Sequence, residues 1–395
     1  MAPNDSTETT GRTSRKLSRY VVPVAVAGVA AATIGLVPAL AASGDPELPE
    51  ITAQELVEKI AASDTQTLSG TFKVSTDLGL PSLAGFAQGL GGGSGSSSAD
   101  PQDKLTELIS GTHTLRVAAD GPDRQKLTFL DGSEEYSLIH NGGDVWAYDS
   151  KSNEVLHEKA DGAGKAPEEE LPGTPKELAD EVLKAAGDTT SITVGGTAKV
   201  AGRDAYQLVI KPKQSGSTVD SVKIAVDAKT GTPLKFTLAS VQGGKPVLDA
   251  GFTKVDFGKP AASTFDFEVP KGAKVTEGLD GAEHGKSPED LEKEFGGLEG
   301  LFGGKGAGAE GPNVIGEGWT SIATFDTGAA APKTDEAPAE FQGFLDALGD
   351  KVTGKFGSGT VFKTKLVNAL MTDDGKVYVG AVTQQALVDA ADAAK

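Results

Sequence analysis

The sequence predicts a mainly β chain of the α+β class, built around an antiparallel meander. Two observations carry this reading. Between Ala201 and Val275 apolar residues return at every second position. Tyr206, Leu208 and Ile210 form one run, Val222, Ile224 and Val226 the next, and Phe236 with Leu238 a third. Phe252, Val255 and Phe257, then Phe265, Phe267 and Val269, supply two more. Period-two alternation suits strands with one buried and one wet face. The runs also end in turn chemistry. Asp227-Ala-Lys-Thr-Gly231 reads as a hairpin loop, and Pro212, Pro233, Pro260 and Pro270 sit at run ends, where a missing N–H costs little.

From the start of the chain, a polar stretch ending in Arg12, Arg15, Lys16 and Arg19 precedes the apolar run Val21–Leu40. Ala39-Leu40-Ala41 is the small-x-small pattern of a signal-peptidase site, so residues 1–42 read as a signal peptide. An uncleaved membrane anchor is the other reading, since the run is just long enough to span a bilayer. Either places the rest of the chain outside the cytoplasm.

Residues 48–277 read as one folded unit. Thr52 and Glu55 form a capping box, and Ile51 with Leu56 a hydrophobic staple, on a short helix ending near Ser63. Leu68–Leu78 alternates as a strand. Residues 79–104 then interrupt it with Leu83, Phe86 and Leu90 among glycines, followed by a pure Gly/Ser run. Two readings stand here: a low-complexity insertion, or a flap whose apolar side chains close over a cavity. Strands resume over His113–Ala119, Gln125–Leu130, Glu135–His140 and Asp144–Tyr148, separated by Asp-Gly and Asn-Gly turns. Thr174-Pro175-Lys176-Glu177 opens a second capped helix, with Leu178, Val182, Leu183 and Ala186 on its apolar face.

Residues 278–313 read as a Gly-rich, acidic linker, and 314–395 as a small α+β appendage. The appendage is expected to hold a helix over Glu340–Leu348, strands over Val361–Met371 and Lys376–Val382 joined at Asp373-Asp374-Gly375, and a terminal helix over Gln384–Ala394.

Composition narrows the function. The 395-residue chain carries a net charge of −19, which repels nucleic acid and anionic headgroups, so nucleic acid is not an expected partner. It has no cysteine, which excludes disulfides, thiolate catalysis and cysteine-zinc sites. There is no G-x-S-x-G elbow, and His157-Glu158 lacks the second histidine of a zinc-protease motif. His113, His140, His157 and His284 are scattered singly. The formal G-x-G-x-x-G at Gly306–Gly311 follows no strand and runs into Pro312. The acidic runs at 168–170 and 289–294 lack a calcium-loop pattern and read as solvated faces. The expectation is a non-enzyme with no metal and no cofactor.

The pieces Gly202–Leu208, Val222–Leu234, Phe252–Gly258 and Phe265–Val275 together resemble the second half of proteins related to the lipoprotein carrier LolA, including the RseB/MucB-like and YdcC-like members. That resemblance implies a curved, incomplete antiparallel β-barrel with helices over its open mouth and an apolar cavity for acyl chains. On that architecture the cavity-lining candidates are Phe72, Val74, Leu115, Phe129, Leu138, Trp146, Tyr206, Leu208, Ile224, Phe236 and Phe252. The lid or flap candidates are Leu83, Phe86, Leu90, Leu178 and Val182. The same residues could equally form a filled core. The expected function is shielding of lipid or lipoprotein acyl chains. The alternative is an envelope-stress sensor of RseB type that binds a membrane-anchored regulator.

Overall fold

The computed structural model describes residues 45–79, 99, 101, 104, 111–159, 175–277, 313–326 and 349–394. The expected signal segment, its cleavage residues Ala39 and Ala41, and Leu83, Phe86 and Leu90 lie outside them, as do His284, the Gly306–Gly311 motif, both acidic runs and the expected helix over Glu340–Leu348.

The strands form two sheets. The first is built from β1 (Thr67–Thr76), β2 (Gly111–Asp120), β3 (Arg124–Asp131), β4 (Glu134–Asn141), β5 (Asp144–Asp149) and β6 (Glu154–Lys159), then β7 (Thr190–Val200), β8 (Arg203–Pro212), β9 (Val219–Asp227), β10 (Pro233–Ser240), β11 (Leu248–Asp256) and β12 (Lys274–Glu277). Their order is β12-β6-β5-β4-β3-β2-β1-β11-β10-β9-β8-β7, a large open curved sheet that does not close into a barrel. Two meanders are joined at its centre by the pairing of β1 with β11. The Thr71/Phe72 bulge in that pair adds local bend, and Gly70 beside it cannot carry a side chain. A Cβ there would lie 2.4 Å from the Lys254 carbonyl and 3.0 Å from the Phe252 ring.

Helices α1 (Ala53–Ala61) and α2 (Pro175–Ala186) pack on one another and on β7 and β8. At α1 the Thr52–Glu55 capping box forms as expected, with the Thr52 N–H donating to Glu55 Oε2 at 2.8 Å. Leu56, Val57 and Ala179 meet Tyr206, Leu208 and Val226, with Ile51 and Ile60 at the margin. The β9–β10 turn closes under α1. Gly231 there has φ +76°, and a Cβ would lie 2.2 Å from the Lys59 carbonyl.

In this sheet one expected strand does not form, and one strand forms that was not expected. Phe265–Val269 alternates but is not a strand: Ala262–Thr264 forms a 3-10 turn, and the segment beyond it crosses the sheet face opposite the helices. Its alternating aromatics are used for tertiary packing instead: Phe265 is fully buried, and Phe267 lies against Trp146 and Tyr148. The strand that follows, β12, pairs with β6 in parallel. Strand β7 was not expected at all; Gly195-Gly196 within it form a bulge where the register shifts between Val194 and Thr197. A Cβ on Gly195 would lie 2.4 Å from Val209 Cγ2.

The second sheet contains β13 (Asn313–Ile315), β14 (Ile322–Asp326), β15 (Gly349–Gly354), β16 (Gly357–Phe362), β17 (Asn368–Thr372) and β18 (Lys376–Gly380), in the order β13-β14-β18-β17-β16-β15. Helix α3 (Gln384–Ala393) covers it through Leu387 and Ala391, which pack with Val361, Leu370 and Tyr378. The single strand expected over Val361–Met371 is two strands. Between them Thr364 Oγ1 accepts from the Leu366 and Val367 N–H groups, and Asn368 Oδ1 accepts from the Thr364 N–H. These side-chain bonds satisfy the backbone of a turn, an option open to threonine and asparagine.

The two sheets are bonded together. Ser217 bridges to Val382, the Thr218 N–H donates to the Ala381 carbonyl at 2.9 Å, and the Thr383 N–H donates to the Gly216 carbonyl at 2.7 Å. Lys365 pairs with Asp77 at 2.6 Å, and Trp319 Nε1 donates to Thr190 Oγ1 at 2.8 Å.

Candidate functional site

Strand register sorts the cavity candidates by face. Phe72 stands beside Leu115 and Phe252, Leu115 beside Phe129, and Phe129 beside Tyr136. Leu208 stands beside Ile224, Ile224 beside Phe236, Phe236 beside Ala250, and Ala250 beside Val74. Tyr206 shares this face through Val226, and Leu138 through Leu127. Adjacent partners in a ladder point to the same side, so ten of the eleven candidates share the helix-bearing face. The eleventh, Trp146, pairs with Ile139 on the opposite face.

The ten are not equivalent. Phe72, Leu115 and Phe252 are buried together, with the Phe72 and Phe252 rings edge-to-face at 4.6 Å. Tyr206 and Leu208 are buried under α1 and α2, with Ile224 at the edge of that cluster. Phe129 and Leu138 are half-buried, beside Ala99, whose carbonyl accepts from the Tyr136 hydroxyl at 3.0 Å. The chain just after the Gly/Ser run therefore sits on this face, where Lys104 also pairs with Asp149. Phe236 is half-buried and Val74 is buried. Helix α2 places Leu178 and Val182 within its span.

The register reveals a row that the sequence reading did not single out as a site. Ile192, Ile210, Val222, Leu238 and Leu248 stand side by side across β7, β8, β9, β10 and β11. All five are half-buried. Ile192 and Ile210 reach the cluster under the helices, but Val222, Leu238, Leu248 and Phe236 pack into none of the core clusters of the described residues. The strip ends next to the second sheet, close in sequence to the junction residues Thr218, Gln242 and Leu78. The alternation that placed Leu208, Ile224 and Phe236 on one face places their i±2 neighbours there too, so the signal was present.

On the opposite face, Trp146 stacks on His157 with centroids 3.6 Å apart and planes 11° from parallel, and Phe267 covers Trp146 and Tyr148. His157 is 6% exposed. Its Nδ1 lies 2.6 Å from Glu277 and its Nε2 2.9 Å from Asp144. Two carboxylates facing both ring nitrogens require both to donate, which only the imidazolium can do. Burial pulls its pKa down, but the bonds to Asp144 and Glu277 outweigh that and hold it above the ordinary histidine value. The carboxylates lie on opposite sides of the ring and do not converge on a metal position. Among the described residues no cluster of three His, Asp or Glu could hold a metal ion. This is a clamp that fixes β12 to β6.

Among the described residues no helix is long and apolar enough to cross a membrane. Residues 106–270 match the family model of the MucB/RseB N-terminal domain, which bears out the resemblance read from the sequence. The chain is similar to a chain of the MucA/MucB complex from Pseudomonas aeruginosa, at 16% identity over 86% of this chain and 96% of that one, with a TM-score of 0.37. It is also similar to an uncharacterized conserved protein from Thermus thermophilus, at 13% identity over 57% of this chain and 99% of that one, TM-score 0.31. A LolA superfamily protein from Nitrosomonas europaea matches at 10% identity over 55% and 99%, TM-score 0.20. No curated protein matches the chain.

Proposed function

We propose that this chain is a non-enzymatic extracytoplasmic protein that shields acyl chains of lipids or lipoproteins on the helix-bearing face of its large sheet. The observation that carries the reading is the strip Val222, Leu238 and Leu248 with Phe236, half-buried and outside the core clusters of the described residues. Large apolar side chains left partly wet on an otherwise packed face favour an apolar occupant. Each methylene buried there contributes about 0.8 kcal/mol, so a chain of about ten needs no polar chemistry to be held. The candidates Phe72, Val74, Leu115, Tyr206, Leu208 and Phe252, buried on the same face, pack that face beside the strip, and Phe129, Leu138 and Ile224 are its half-buried neighbours. Residues 48–277 and 314–395 act as two domains, the second walling one end of the strip.

A fluorescent fatty acid titrated against the wild-type chain and against Leu238→Glu and Leu248→Glu tests this. Saturable binding by the wild type, weakened at least tenfold in folded variants, supports the reading; equal binding by all three removes it. A second reading has the same face receive a membrane-anchored regulator. The second sheet favours it, because its bonds to Gly216–Thr218 hold it next to the end of the strip, where a protein partner could touch both. Recovery of one single-span protein from host membranes, lost in Leu238→Glu, would select it.

A further inference from the structure

On the face opposite the helices, a cleft of about 700 Å³ opens over the centre of the large sheet. Its floor is a ladder row running across five strands: Lys254 on β11, Thr71 on β1, Arg116 on β2, Thr128 on β3 and Ser137 on β4. Lys126 lies one alternation along β3 from Thr128, and Ser263 and Thr264 of the 3-10 turn form a rim. Phe265, fully buried directly after that turn, anchors the rim. We propose that this cleft is a second binding site, for a phosphorylated polyol.

Three cations line the cleft. The chain has 56 acidic and 37 basic residues, so a cation has many carboxylates to choose from. Around the cleft, Arg124 and Lys259 both pair with Asp120, and Lys235 pairs with Asp249. Arg116, Lys126 and Lys254 line the cleft itself, with no side-chain ion pair or hydrogen bond among the described residues. Three such cations held on neighbouring strands of a rigid sheet repel one another, a cost that a bound dianion would reverse. Arginine supplies the planar fork that matches a phosphate edge, and the lysines supply point charges beside it.

The remaining lining indicates what carries the phosphate. The cleft is far larger than a bare phosphate needs. Glu135 and Asp256 also line it, and both can accept from hydroxyl groups; one oxygen of Asp256 already accepts from the Gly258 N–H at 2.7 Å. Ser69, Thr71 and the rim hydroxyls can both donate and accept. Cations beside hydroxyls and carboxylates fit a phosphate on a polyhydroxylated body. The net charge of −19 opposes docking of the chain on an anionic bilayer as a whole, so the occupant is a single molecule. That molecule is either a free phosphoester or the headgroup of one lipid. The sheet lies between this cleft and the apolar strip, so the two sites stand or fall separately.

Calorimetric titration of the full chain at low salt with inorganic phosphate and glycerol phosphate is the first arm. The second uses short-chain phosphatidylglycerol below its critical micelle concentration, with a monoacylglycerol of equal chain length as the phosphate-free control. Each ligand meets the wild type, Arg116→Gln, and the triple variant Arg116→Gln, Lys126→Gln, Lys254→Gln. A triple variant at exposed lysines outside the cleft (Lys211→Gln, Lys223→Gln, Lys229→Gln) carries the same change of charge. The expected result is phosphoester binding that falls about tenfold in Arg116→Gln and is lost in the cleft triple, with the control triple near wild type. Binding of glycerol phosphate identifies a free phosphoester; binding of the lipid alone, and not of monoacylglycerol, identifies a headgroup. No binding of either phosphoester, or equal loss in both triples, overturns the site. Should the cleft triple unfold, Arg116→Lys decides: it keeps the charge and loses the fork, and unchanged affinity would overturn the arginine's assigned role.

Discussion

Replacing Asp227 by asparagine should destabilise the large sheet without touching any apolar contact. Asp227 is 1% exposed at the end of β9. Its two oxygens accept from Arg203 Nε at 2.5 Å and Nη2 at 2.8 Å, and also from the Lys229 N–H, the Thr230 N–H and the Thr230 hydroxyl. Burial raises the carboxyl pKa, but the Arg203 and Thr230 bonds overcome it and hold it below the ordinary value. Asparagine keeps one acceptor oxygen and turns an NH₂ group toward donors, so either the arginine or the turn loses its partner. Breaking a buried pair from one side costs roughly 3–5 kcal/mol. Arg203, at 27% exposed, regains some hydration, which brings the expected loss to about 3 kcal/mol. At roughly 2–4 °C per kcal/mol for a unit of this size, the melting temperature should fall by roughly 6–12 °C. Thermal unfolding followed by near-ultraviolet circular dichroism at pH 7 reads it. A fall of under about 2 °C would refute the reasoning that Asp227 anchors the β8–β9 corner. The sign with pH follows from the lowered pKa: the contribution is present above the unfolded carboxyl value and is lost as pH falls through the folded one.

Three further outcomes are expected. The raised pKa of His157 makes the β12 clamp strongest below the unfolded histidine value and weaker as pH rises through the folded one, so amide exchange in Lys274–Glu277 should accelerate with alkaline pH beyond the intrinsic base-catalysed rise. In His157→Gln, which cannot be charged, that excess should vanish. Gly70→Ala should cost more than the usual effect of a glycine substitution, about 2 kcal/mol or more in chemical denaturation, because its Cβ meets the Lys254 carbonyl; a neutral result would mean the bulge absorbs it. Lys365→Met removes the Asp77 partner on one side of the junction, and should cost about 0.5–1 kcal/mol at pH 7, with the difference from wild type shrinking in acid as Asp77 protonates.

The meander was legible because its strands alternate cleanly and their turns are written in Asp-Gly, Asn-Gly and proline. The same code misled where local pattern and tertiary role diverge. Phe265–Val269 alternates, yet its aromatics serve a covering segment whose Phe267 packs on Trp146 and Tyr148, a contact between residues more than a hundred positions apart. Strand β7 escaped the code because Gly195-Gly196 break the alternation with a bulge, where Gly196 takes φ +115°. The face of most cavity candidates followed from alternation, but Trp146 did not, since alternation within β5 fixes only relative sides. Which side faces the helices is set by pairing with Ile139. The His157 clamp was out of reach for the same reason: Glu277 lies 120 positions away, and β12 pairs in parallel, a geometry that a meander gives no cause to expect.

Native mass spectrometry on the chain purified from its own host without detergent tests the central claim most directly. The expected spectrum carries a discrete mass increment that dissociates as an intact lipid or acylated species, and that disappears in folded Leu238→Glu. A spectrum holding only the bare polypeptide, with Leu238→Glu indistinguishable from wild type, would contradict it.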